Sequence, residues 1–118
     1  MISKLSMRIL IAGLDDWVPL AAVIGLAREH GMIQGSDATE ASIASLRELT
    51  VRHLIELGNV SDGGFFVHEK SSDDVLSSLA NDIRVSDARQ WEFSYWVQNT
   101  SDGDALARAR DLGNDEKR

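Results

Sequence analysis

The chain contains no cysteine. That excludes disulfides, thiolate zinc sites and a cysteine nucleophile, and it suits a reducing compartment, so the expected location is the cytoplasm. Proline is nearly absent, with Pro19 alone, so breaks between elements must come from glycines and polar turns. No hydrophobic run is long enough to cross a bilayer. The longest, Trp17 to Ala27, is about half of the ~20 residues a membrane helix requires. Lys4 and Arg8 precede a short apolar stretch, but Asp15 and Asp16 break it and no small-residue cleavage pattern follows. The segment therefore reads as a folded helix and not as a secretion signal.

Basic charge is also scarce: 12 Lys and Arg face 19 Asp and Glu, for a net charge of −7. Residues 1–34 carry three acids and three bases, 35–70 six and three, and 71–118 ten and six. No basic block exists to meet phosphate, which weighs against tight nonspecific nucleic-acid binding. Catalytic phrases are missing too. There is no G-x-S-x-G, no phosphate-binding glycine loop, no H-E-x-x-H and no G-x-G-x-x-G. Ser101-Asp102-Gly103-Asp104 lacks the alternation and the distant Glu of a calcium loop, and a helix cap explains it better. His53 and Glu56 fall three apart on an expected helix, and without a second ligand pair they read as a surface contact. No metal, no cofactor and no enzymatic activity are expected.

What is present supports one domain over residues 1–112, with 113–118 as a frayed tail. At 43% hydrophobic residues, a chain of this size buries roughly two-thirds of its unfolded surface. Helical spacing of Leu5, Ile9 and Ala12 predicts a helix over 4–13. Asp15 or Asp16 caps a second, over 16–30, with Pro19 in its first turn. The third is predicted over 39–57. Its inward stripe is Ile43, Leu46, Thr50, Leu54 and Leu57, its outer face Ser45, Glu48, Arg52 and Glu56, and its left-handed stop Gly58. Asp62-Gly63-Gly64 turns a short ribbon over 60–68. Ser71 or Ser72 caps a helix over 71–84, whose inward face is Val75, Leu76, Leu79 and Ile83. Trp91, Phe93, Tyr95 and Val97 alternate with polar residues and Trp96, predicting a strand over 91–98. A last helix spans 101–112. The fold class is α+β with a small antiparallel sheet.

Two phrases carry a resemblance. Leu54 to Val60 keeps Gly58 and Val60 in a "Leu-x-x-x-Gly-Leu/Val" pattern, and Val97 to Gly103 keeps Thr100 and Gly103 of a "Leu-Thr-x-x-Gly" pattern. With the element order, roughly residues 4–112 resemble the winged-helix superfamily and small bacterial proteins of this type. The resemblance implies a winged-helix-like fold and, as one reading, a DNA-binding regulator using helix 39–57 with Ser42, Ser45 and Arg52 toward DNA. The helix at 71–84 stands where a simple wing would have a short turn.

The acidic charge favours a different reading, a non-enzymatic module for protein–protein interaction, with another protein or a second copy (a homodimer) as partner. Ser45, Leu49, Arg52, Ile55 and Trp96 are the candidate interaction residues. Leu49 and Ile55 lie beyond one core stripe, and Trp96 faces away from the other aromatics of its strand, where it either packs on the second sheet face, the favoured reading, or is offered to a partner. A ligand pocket between the aromatic strand and the helices is the third reading.

Overall fold

The computed structural model describes residues 2–31, 36–68, 71–85 and 95–116. Ser3 starts the first helix, α1 (Lys4–Ala12), by accepting the Ser6 amide on its hydroxyl. The chain then crosses Asp15 and Asp16 to a two-residue strand, β1 (Val18–Pro19), and enters α2 (Leu20–Gly31). After α3 (Ser36–Val51) comes a hairpin of β2 (Ile55–Ser61) and β3 (Gly64–Val67). Next are α4 (Ser72–Val85), β4 (Trp96–Asn99) and α5 (Ser101–Glu116). The described residues thus form an α+β fold of five helices and one four-stranded antiparallel sheet, in the order β1-β4-β2-β3.

β4 lies in the middle of the sheet. It pairs Val97 with Val18 on one side and with Leu57 on the other. Val18, Leu57 and Val97 are all buried, so one sheet face completes a core supplied by the helices. Ile9 and Leu10 from α1, Val23 from α2, Leu46 and Leu49 from α3 and Leu76 from α4 are among its most enclosed members. The hairpin turn is Asp62-Gly63 with φ of 49° and 77°, the pair of positive angles a two-residue type I′ connection needs.

Several expected boundaries move, among them the start of the third helix, at Ser36 instead of residue 39. The second helix starts at Leu20 instead of residue 16, because Val18 and Pro19 pair with β4. Pro19 has no N–H to give a ladder and tolerates only an edge strand, which β1 is. The third helix stops at Val51 instead of residue 57. His53 takes the left-handed conformation (φ 58°), its amide bonds the Thr50 carbonyl, and the Leu54 amide reaches back to Leu49. This is a Schellman closure with histidine where glycine is usual, sealed by buried Leu49 and Leu54. Gly58 is therefore no helix stop. It is a strand residue whose missing side chain admits the Phe65 ring, 2.6 Å from where a Cβ would sit. The last helix runs to Glu116 with Gly113 inside it. An interior glycine costs about 1 kcal/mol against alanine, too little by itself to end a helix.

Other expectations keep their places. Ser71 accepts the Asp74 amide at the head of α4, and Val75, Leu76 and Leu79 face the core. Thr100 heads α5 by accepting the Gly103 amide. The expected strand residues 91–94 and the side chain of Ile83 lie outside the described residues.

Candidate interaction surface

α3 packs against α1, α2, α4 and β2, so more than half of its circumference is enclosed. Ser42 and Ser45, placed by sequence on an outer or DNA-facing side, are buried, and the Ser42 hydroxyl folds back onto the Ala38 carbonyl at 2.7 Å. Leu49 and Ile55 are core residues of the single chain, at 0% and 4% exposure. Of the five candidate residues, Ser45, Leu49 and Ile55 thus present nothing to a partner. The exposed stripe of α3 is instead Glu40, Ala44, Arg47 and Val51. Its cation is already engaged: Arg47 pairs with Asp73 of α4 at 2.5 Å.

Glu48 and Glu56 do not bracket Arg52 along one helix as the periodicity predicts. Glu48 turns toward α1, where its carboxylate accepts the Ser3 amide at 2.9 Å and the Ser6 hydroxyl at 2.7 Å. The Ser3 amide, then the Ser6 hydroxyl, hold its carboxyl below the ordinary value of 4.5, with help from the nearby Arg52 charge and against the cost of partial burial. Glu56 is a strand residue and accepts from Gln98 across the sheet, so the expected helical pairing with His53 does not form. Among the described residues, no group of three or more His, Asp or Glu is placed to hold a metal. No helix among them is long and apolar enough to cross a membrane.

Trp96 is half-buried, opposite Gly58 and Pro19, on the sheet face away from Val97 as alternation requires. That face also carries Trp17 and Phe65. Trp17 packs on Phe65 with ring centroids 6.0 Å apart and donates its indole N–H to Gln98 at 3.0 Å. On the edge strand β3, Val67 lies on this face and is 50% exposed, while Phe66 lies on the opposite face and is 57% exposed.

Arg52, exposed in the turn after α3, borders a wide depression. It is a groove of about 740 Å³ between the start of α1, the α3–β2 turn and α5. Ile2, Met7, Leu54, Leu106 and Ala109 form its apolar lining, and Lys4, Arg52 and Arg110 stand around it. Lys4 and Arg110 belong to helices distant in the chain, and only the packing of α1 on α5 assembles them. A tight anchorage ties the start of α5 to the α3–β2 turn. The Thr100 amide bonds the Leu54 carbonyl, the Thr100 hydroxyl bonds the His53 carbonyl at 2.8 Å, and Gly103 lies flat against the Leu54 backbone.

A second, smaller cleft of about 300 Å³ is lined by Asp15, Asp16, Trp17 and Asp104, among others. Asn99 spans it, giving its amide hydrogens to the Leu10 carbonyl and to Asp104.

Comparison with protein-family models, with curated proteins and with solved structures gave no match.

Proposed function

We propose that the chain is a non-enzymatic interaction module on a winged-helix-type frame, acting in the cytoplasm by seating another protein or a second copy of itself. Two helices around a short strand, a third helix, a hairpin and a last central strand supply the order that supports this frame. α4 stands as an insertion between hairpin and closing strand.

One observation carries the choice of partner. The exposed stripe of α3, the helix that would read DNA on such a frame, offers Glu40, Ala44 and Val51, and its Arg47 is matched by Asp73 of the inserted helix. A DNA reader gains much of its affinity from unpaired Lys and Arg on phosphate. α4 takes the place of that contact instead.

Two measurements on the purified chain test the reading together. Light scattering across a concentration series is expected to show self-association, or else a constant monomer mass that shifts when the partner is added. A mobility assay with pooled genomic duplexes at low salt is expected to show no retardation. A saturable, steeply salt-dependent DNA complex lost in an Arg47→Ala/Arg52→Ala variant would replace the module with the alternative, a DNA-binding regulator.

A further inference from the structure

We propose that the groove between the start of α1, the α3–β2 turn and α5 seats an acidic, amphipathic helical segment of another protein. The proposal rests on the reading of the chain as an interaction module and names its site and partner chemistry.

Charge complementarity selects the occupant. In a chain of net charge −7, three exposed cations, Lys4, Arg52 and Arg110, come together from three separate elements around one apolar groove. The ion pairs among the described residues are Arg8 with Glu29 and Arg47 with Asp73, and none of the groove cations is in either. Glu48 accepts the Ser3 amide and the Ser6 hydroxyl on one oxygen and also feels the charge of Arg52. Three cations thus stand together around one groove on a molecule of net negative charge. Beneath it, Leu106 stays 38% exposed and Met7 half-exposed, and methionine adapts its shape to what packs on it.

Size alone also admits a small anionic amphiphile, since ligand pockets run from roughly 300 to 1,000 Å³. Form favours the helix. One carboxylate headgroup needs one cation, whereas three cations on three elements match carboxylates spaced along a helix. The groove is neither an enclosed cavity nor a flat surface. It would leave one side of an acyl chain wet, but it suits a helix that buries a single face through anchors at i, i+3 or i+4, and i+7.

The test is selection from a display library of random peptides of about 15 residues, near the length at which isolated helices begin to form. Enriched peptides are expected to carry Asp or Glu around apolar anchors at helical spacing. A labelled representative, followed by fluorescence anisotropy, is expected to lose at least about tenfold in affinity against Lys4→Glu/Arg52→Glu/Arg110→Glu. A copy of the peptide with its acids changed to lysine should prefer that reversed protein. Leu106→Glu, which leaves the cationic rim in place, should cost a similar factor. All these positions are exposed, and unchanged melting curves verify that each variant folds.

Absence of enrichment, enrichment without acidic bias, or affinity indifferent to both variants would overturn the proposal. So would rim-dependent binding of dodecanoate or of phosphatidylglycerol vesicles in place of the peptides, which would reassign the groove to an anionic lipid. If the groove fails while the unaltered chain self-associates, the module reading survives without this site. A salt-steep DNA complex removes both.

Discussion

Glu48 shows how one side chain joins two helices. Its charge accepts hydrogen bonds from both Ser3 and Ser6 at the start of α1, where a helix also presents positive partial charge. Glu48→Gln keeps the shape and removes the charge. The expected loss is about 1 kcal/mol at neutral pH, since the group is half-exposed and hydrogen bonds to charged groups are discounted by water. Because the folded carboxyl titrates below its ordinary 4.5, its contribution is complete above that value and fades as pH falls through the lower folded one. Urea melts of the two proteins should therefore differ by a constant gap at neutral pH that closes in acid. Gly103 is a second decisive position. A Cβ there would run into the Leu54 carbonyl, and backbone cannot rotate aside. Gly103→Ala should cost about 1–3 kcal/mol even though alanine is the better helix former. A rise in stability on that substitution would show that the α5–turn contact is not close.

At the scale of elements, the sequence was legible where local chemistry acts alone. The Asp62-Gly63 hairpin, the Ser71 and Thr100 caps, and the inward faces of α1 and α4 follow from residue types and spacing. It misled where two periods coincide. Leu54 and Leu57 continue the helical stripe of α3, while Ile55 and Leu57 also alternate as a strand face. The tie is broken by His53, an unremarkable residue in a left-handed conformation, and by ladder bonds to β4 that only tertiary structure supplies. Ser45, Leu49 and Ile55 stood among the candidates as positions beyond the main stripe of α3, and neighbours on several sides enclose them within the single chain. Arg52 was legible as an exposed cation, but its companions Lys4 and Arg110 were not, since nothing local links α1 to α5. The seating of α4 tests which forces govern such packing. Arg47–Asp73 is exposed on both sides, so a double-mutant cycle on the pair should return less than about 1 kcal/mol. Leu76 is fully enclosed, and Leu76→Ala should cost about 2–5 kcal/mol. A coupling energy larger than the leucine loss would mean that charge, not burial, holds the inserted helix.

The whole molecule sets an electrostatic condition that no single residue does. It measures 45 × 32 × 24 Å along its principal axes and carries a net charge of −7. At about 10 mM salt the screening length is about 30 Å, so an approaching acidic segment feels most of the molecule's charge and is repelled. At about 150 mM the length falls to about 8 Å. The segment then feels chiefly what lies near the groove, namely Lys4, Arg52 and Arg110. Association with an acidic peptide should therefore accelerate as salt rises from the lower value to the physiological one, while dissociation also quickens as local pairs weaken. A DNA reader behaves in the opposite way, because its phosphate contacts release counterions and its affinity declines steadily with salt. Stopped-flow measurement of both rate constants across that range separates the two. An association rate that only falls from the lowest salt upward would mean that the cations around the groove, and not the acidic remainder, dominate the field a partner meets.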